Sequence, residues 1–543
     1  MLCKSITILF GLNRRVPEVA KELFDINGRQ APRFSINNDL SPYDMPAPFF
    51  SSGNNVRFLD GKAGKILGHI QVLGTPAAAP YWAISWLQGA TDLWIYGTAT
   101  SLRKITGVTH ADVTRSAGAY TTIASTTNNW QGGELGGVLV VCNGIDAPQS
   151  FTQGGSVFAD LAQWPSTLKC KTIVPFRNHL IALNLTDSAS GSAVAKPFTI
   201  RWSDAIPVGT DNNGTNTWVT SAAASEAAET SLMGTKGHIL NAVQLGNLLM
   251  VYKEDSIYSL SYVGGAFTFN VREVFKDTGL FSRDAVLDLG NGKHVVMITN
   301  DVVVHNGNSI QSIIDDQMKT FLFSEIDSVN YFKTFMVHNK IKNEVWICFP
   351  ATGSTYADTA LIWNYVENTW ATRDLPNVSY IAKGLVNPVL ANTWVAATTT
   401  WKADTLNWGQ LPYNPAIDSL LMVGTDDTKL FLADTGVTFN GTNFTTTLER
   451  RGLNAGRTDA VKQISRVYPR IEGTGTVSIS VGAELAPNSG VIYNDPVTFT
   501  IGTDNKVDCR VKGRYAAIKI ESDAASQFRL SGYAIESEIV SDR

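Results

Sequence analysis

Charge is scarce in this chain of 543 residues: Asp, Glu, Lys and Arg make up 17% of it, against ~25% in an average globular protein. The net charge of −4 is small for the length. It gives no ground for a nucleic-acid-binding surface spread over the whole molecule. Cysteine is sparse as well. Cys3, Cys142, Cys170, Cys348 and Cys509 are scattered, odd in number and never spaced C-x-x-C. Buried free thiols in a reducing compartment are therefore expected, rather than a disulfide framework or a metal site. No run approaches the ~18 apolar residues that span a bilayer. Residues 1–12 (MLCKSITILFGL) imitate a signal peptide, but the apolar core is short, Asn13-Arg14-Arg15 follow directly, and no small-residue cleavage site is present. The expectation is a soluble protein made in a cytoplasm.

Catalytic signatures are also missing. The sequence has no H-E-x-x-H, no G-x-S-x-G and no G-x-x-x-x-G-K-[ST]. Residues 61–65 (GKAGK) lack the spacing and the Ser or Thr of a phosphate loop and read as a charged turn. The seven histidines are dispersed beside apolar strand residues or turn glycines, so they are read as structural. No enzymatic activity, metal or cofactor is expected.

Short strands joined by polar turns are what the sequence has in abundance. Residues 359–376 (TALIWNYVENTWATRDLP) show an apolar run, a polar turn at 366–369 and a returning strand that opens on Trp370, the signal of a hairpin. The spacing resembles one blade of a kelch-type β-propeller, and a blade cannot bury its own faces, so siblings should exist. They do: 92–107, 136–151, 178–185, 247–265, 293–307 and 419–434 repeat the pattern. Turns are expected at Lys253-Glu254-Asp255, Asn300-Asp301 and Asp426-Asp427. Apolar strands starting near 138, 180, 248, 295 and 345 recur in most cases every 42 to 50 residues, about the length of a propeller blade. The reading is an all-β fold. A β-propeller of six or seven blades spans 67–434, with stacked β-sandwiches as the alternative architecture.

Helix is expected at 16–26 (VPEVAKELFDI), where apolar residues fall on one face, and at 313–326; residues 221–233 are read as helix or extended loop. Residues 1–27 form an N-terminal extension carrying the first of these helices. Residues 28–66 form an N-terminal arm, and 435–543, with alternating strands such as VSISVGAEL and YAAIKIES, a β-sandwich. Both ends of the chain are expected to build one platform domain beside the propeller.

Residues 210–218 (TDNNGTNTW) imitate the Asp box of sialidase-type propellers, but Asn212 and Asn216 stand where that motif needs Asp and Thr. A polar loop before Trp218 is the better reading. One stretch is basic: residues 445–519 hold eleven Lys or Arg against seven acids. Its arginines Arg450, Arg451, Arg457, Arg466, Arg470, Arg510 and Arg514 are the candidates for contacts with a neighbouring subunit or partner protein, weighed against an ordinary solvated face.

Several segments, taken in order, resemble one family. They are 54–69 (NNVRFLDGKAGKILGH), 135–151 (LGGVLVVCNGIDAPQSF), 200–210 (IRWSDAIPVGT), 250–269 (MVYKEDSIYSLSYVGGAFTF), 359–376, and 511–522 (VKGRYAAIKIES) with 528–536 (FRLSGYAIE). Together they are similar to the tail nozzle proteins (tail tubular protein B) of short-tailed bacteriophages and, more distantly, to the phage packaged-DNA stabilisation protein. The resemblance implies a virion structural protein assembled in the host cytoplasm. It implies a homo-oligomeric ring, usually of six copies, below the portal and its tail adaptor. Such a ring retains the genome and then conducts double-stranded DNA without sequence specificity; tail fibres are further candidate partners. DNA sliding through a tube disfavours a basic lining, because each Lys or Arg on phosphate adds affinity through counterion release. The basic C-terminal stretch is therefore expected to face the adaptor or neighbouring subunits, and the segments 183–246 and 377–418 are candidates for narrowing the channel. The competing readings are a carbohydrate-binding or glycan-cleaving propeller acting in host-receptor recognition, and a cellular propeller scaffold.

Overall fold

The computed structural model describes residues 21–29, 32–88, 91–123, 128–222, 225–265, 267–386 and 418–541. They are all-β apart from one α-helix, Lys319–Glu325, and one turn of 3-10 helix, Tyr331–Lys333. Five four-stranded antiparallel sheets follow one another along the chain, each running through its strands in sequence order. Their first strands are Trp82–Gln88, Gln131–Leu135, Leu168–Phe176, Ile239–Leu245 and Val286–Gly290.

A strand buried on both faces reads as a continuous apolar run, and the second strands of these sheets show why. In Val138–Cys142, Val138, Val140 and Cys142 enter the core shared with the third sheet. Leu139 and Val141 enter the core shared with the first. In Leu248–Lys253, Leu249 and Val251 face the third sheet, while Met250 and Tyr252 face the fifth. The period of 2 along a strand thus divides one apolar run between two cores. Each fully buried Leu or Val contributes roughly 1.5–3 kcal/mol, so a charge placed at one of these positions would disrupt the core that it faces.

A seven-stranded antiparallel sheet comes next. Its middle strand, Thr369–Gly384, pairs through its first half with Ala357–Asn364 and through its second half with Ser419–Gly424. The far edge is His69–Gln71, which returns from the N-terminal side to pair with Lys429–Ala433. An apolar core containing Leu421, Val423, Leu430 and Leu432 joins this end of the sheet to Ala83, Trp94 and Tyr96 of the first sheet.

The two ends of the chain interleave in a pair of sheets. In one, Phe528–Ser541 pairs with Val461–Gly473, with Lys62–Lys65 and with Glu22–Asn27. In the other, Thr446–Leu453 pairs with Ser52–Asn54 and with Tyr515–Ser522. Ile464, Val467 and Ile535 from the first sheet share one apolar core with Leu448, Ile479 and Ile520 from the second.

Two helix expectations need correction. Within 16–26, residues 16–20 lie outside the described residues, and Glu22–Asn27 is a strand. Phe24 and Ile26 turn inward opposite Ile535 and Tyr533 while Leu23 is 63% exposed. Pairing with a long partner strand overrides the helical spacing. Within 313–326 only Lys319–Glu325 is α-helix. Its start is capped from far away, because the amides of Lys319 and Thr320 donate to the Asp39 carboxylate at 2.7 and 3.1 Å. In 221–233, Ala228–Ser231 is the edge strand of the third sheet. The segment 183–246 is not one loop, since strands Val194–Trp202 and Ala228–Ser231 lie inside it. Of 377–418, residues 387–417 lie outside the described residues.

The thiols of Cys142, Cys170 and Cys348 are free and buried, and that of Cys509 is free and partly buried. Two histidines flank one tyrosine in a chain of hydrogen bonds with a fixed direction. The Gly307 amide donates to His305 Nδ1 at 3.2 Å, which leaves the proton on Nε2 to donate to Tyr252 Oη at 2.8 Å. The Tyr252 hydroxyl then donates to His294 Nδ1 at 2.6 Å, and His294 Nε2–H donates to the Gln244 carbonyl at 2.9 Å. The donor and acceptor inventory allows no other order with both rings neutral.

Candidate functional site

The basic stretch does not form a single exposed face. Arg450 is 2% exposed and donates to the carbonyls of Pro42 and Met45 at 2.8 and 3.1 Å, so it anchors the N-terminal arm and does not reach a partner. Arg451 pairs with the buried Glu484 at 3.2 Å, and Arg457 with Asp459 at 2.7 Å. Arg466 pairs with Asp508 and Glu536, and Arg470 with Asp25. Arg510 is exposed and Arg514 half-buried. Asp459, Glu484 and Asp508 of the stretch, with Asp25 and Glu536 from outside it, thus hold four of these arginines in local pairs.

The polar side chains that converge do so elsewhere, at the seam between the interleaved chain ends and the seven-stranded sheet. Arg57, on strand Val56–Leu59, donates through Nε and Nη2 to both oxygens of Glu344 at 2.6 and 3.0 Å. Its Nη2 also reaches Asp434 at 2.6 Å. Arg373, wholly buried, donates to the other Asp434 oxygen at 2.8 Å and to the Gly68 carbonyl. Asn339 and the Trp346 indole complete the shell of Asp434 and Glu344 at 3.0 and 2.9 Å. Two guanidiniums meet two carboxylates, so the cluster is neutral. Burial works against every charge in it. For Arg57 the adjacent Asp434 and Glu344 overcome that cost and raise its pKa, and for Asp434 the two arginines hold the carboxyl below its usual range. Burial, with Arg57 close by, leaves Arg373 lowered.

A basic pocket of about 640 Å³ opens beside this cluster. The hairpin of Val56–Leu59 and Lys62–Lys65 forms its floor, and this is the GKAGK segment. Gly61 has φ +69°, and a Cβ there would come within 3.0 Å of the Arg29 Cα. At Gly64 a Cβ would meet Arg529 Cγ at 3.2 Å. The two glycines therefore let arginines from opposite ends of the chain lie against one hairpin. Lys65 sits deepest. Its Nζ donates to the carbonyls of Phe444 and Ala524 at 3.0 and 2.7 Å and lies 4.2 Å from the Phe444 ring centroid. Burial lowers its pKa, with Asp523 opposing.

Seven cations line the pocket against one acid, Asp60. Arg33 pairs with Glu367 and Lys62 with Glu472. Glu367 also takes the amides of Asp60 and Gly61. Among the described residues, Arg29, Lys342 and Arg529 have no carboxylate within 4.0 Å. The spacing of GKAGK contains no signal for this site: its cations come from 29–33, 57–65, 342 and 529, and only tertiary pairing brings them together. The Asp-box-like segment is a polar turn, in which Thr217 Oγ1 accepts from the Asn213 amide at 2.7 Å and Trp218 is 1% exposed. No group of His, Cys, Asp and Glu among the described residues could hold a metal ion.

No family model and no curated protein matches this chain. Among solved structures it is similar to the computationally designed Ika8 protein, with 11% identity, a TM-score of 0.35 and coverage of 67% of this chain and 99% of that one. It is also similar to the extracellular domain of a putative one component system, BT4673 from B. thetaiotaomicron, with 11% identity, a TM-score of 0.27 and coverage of 54% and 39%.

Proposed function

We propose that this chain is a virion structural protein, the tail nozzle of a short-tailed bacteriophage. On this reading the five four-stranded sheets and the two halves of the seven-stranded sheet are seven blades of a β-propeller. Residues 28–66 and 435–543 are its platform. Copies of the chain form a ring, of six by the resemblance, beneath a tail adaptor; the ring retains the packaged genome and conducts it at ejection, and tail fibres are further candidate partners.

The observation that carries the reading is the joining of both chain ends in one pair of sheets next to a succession of sheets whose cores run from first to last and back to the first. The resemblance of the ordered sequence segments to tail nozzles implies that same arrangement. The dispersal of the C-terminal arginines into local pairs adds to it, since a conduit for DNA works best without a continuous basic belt. Antibody against the recombinant protein, used for immunogold electron microscopy of particles from the source culture, tests the reading. Gold at the end of a short tail supports it. Particles that stay unlabelled, with antigen only in soluble cell fractions, overturn it.

A further inference from the structure

We propose that the basic pocket at the seam is a binding site for a phosphate oxyanion, with Arg29, Lys342 and Arg529 as the groups that take its oxygens. The inference stands apart from the nozzle reading, because it rests on the pocket alone.

Three features distinguish this pocket from a solvated basic surface. The first is its floor, which is fixed. Arg57 is held by Glu344 and Asp434, and Lys65 by two backbone carbonyls, so neither moves when an anion arrives. An ammonium has three donors and Lys65 spends two on those carbonyls. The second is the pairing around the pocket. Arg33, Arg57 and Lys62 each have a carboxylate partner, whereas Arg29, Lys342 and Arg529 converge from three distant segments without one. Like charges gathered in one concave site repel, and an anion that joins them relieves the repulsion. The third is Glu472, 61% exposed and paired with Lys62 of the pocket lining. The hydrogen bond from Lys62, with the charges of Lys62, Arg529 and Arg29, pulls its pKa down. It is a carboxylate favoured in its charged form beside three of the pocket's cations.

Phosphate fits this donor set better than carboxylate does. Two arginines offer planar forks that match its oxygens in pairs, and a lysine adds a point charge. The volume of about 640 Å³ is in the range of small-ligand sites and exceeds what a single carboxylate needs. The phosphate can come from a free polyphosphate or from the backbone of a nucleic acid.

The test is calorimetric titration of the full chain with inorganic tripolyphosphate and, separately, with a short single-stranded oligodeoxynucleotide. Wild-type protein is compared with Arg29→Ala/Arg529→Ala, with Lys342→Gln, and with the control Arg510→Gln/Lys512→Gln. The control pair lies on strand Val507–Gly513 at the opposite edge of the same sheet. Each altered side chain is exposed or half-buried, and unchanged thermal midpoints show that the variants fold. We expect tripolyphosphate to bind and the double pocket variant to lose at least about tenfold in affinity, as for the loss of charge-assisted hydrogen bonds, with the control unchanged. Binding of the oligonucleotide alone, lost in the pocket variants, supports the site and assigns the phosphate to nucleic acid. No binding of either probe, or equal losses in pocket and control variants, overturns the proposal.

Discussion

Arginine–carboxylate pairs occur in this molecule in two settings, and the contrast between them is instructive. At the seam, Arg57 and Arg373 are 9% and 0% exposed and share Asp434, which itself is 15% exposed. In the C-terminal segment, Arg457, Arg466 and Arg470 make pairs of similar length with side chains around 40% exposed. In water an exposed pair gains little and its long side chains lose rotamer freedom on pairing. In the seam, removal of one partner leaves a buried charge uncompensated. Geometry is alike in the two places; surroundings decide the energy.

The sharpest way to break that comparison is Asp434→Ala. It leaves two buried guanidiniums facing one carboxylate, and we expect a loss of about 3–5 kcal/mol, read as a lower thermal midpoint and urea midpoint. A loss near zero would mean that the seam tolerates unpaired charge as the surface does.

Acid comes next. Burial depresses the pKa of His69 to about 3, with Arg373 adding to the effect. It depresses His305 to about 4, with His294 adding, and His338 to about 4, with Lys383 and Lys340 adding. The ordinary value is 6.5, so between pH 6.5 and about 4 the unfolded chain binds more protons than the folded one. Stability is then full above pH 6.5 and falls as the pH drops through that window. A shift of this size corresponds to roughly 3 kcal/mol for a single histidine such as His305. Asp434 stays below its usual range and Glu536, held by Lys21 and Ser465, titrates at about 2. The seam carboxylate and this surface one therefore remain charged while the histidines titrate. Thermal midpoints measured across pH 4–7, with His305→Gln as the reference, check this; a flat profile would refute it.

Tyr252→Phe should cost less, about 1–3 kcal/mol. It removes the hydroxyl that accepts from His305 and donates to His294, and leaves both ring nitrogens without their buried partner. Denaturant unfolding measures the loss, and a neutral result would show that the two rings re-pair with each other. The smallest effect belongs to the surface. Arg466→Ala is expected to leave the thermal midpoint almost unchanged, and raising the salt concentration should shrink the difference further. A loss comparable to that of Asp434→Ala would erase the distinction between the two settings.

Much of the fold was legible in the sequence wherever local pattern and burial agree. The apolar runs at 138–142, 248–253, 293–298 and 419–424 are strands. Of the turns expected at Lys253-Glu254-Asp255 and Asp426-Asp427, the second lies between adjoining strands, and in the first Glu254 and Asp255 do while Lys253 ends a strand. Where pairing across the chain outweighed local spacing, the reading failed, as at Glu22–Asn27. The site was far less legible. Arg450 looks in sequence like the other arginines of the basic stretch but is buried against Pro42 and Met45, and GKAGK looks like a plain charged turn.

The sequence by itself determined that this protein is built of strands joined by polar turns, because side-chain pattern and turn chemistry act over a few residues. Tertiary structure alone decided that Arg57, Glu344, Arg373 and Asp434 share one buried cluster, and that Arg29, Lys342 and Arg529 crowd one pocket. Those groups lie hundreds of residues apart. Coulomb forces and desolvation depend on distance in space and on burial, and neither is written in the spacing of residues along the chain.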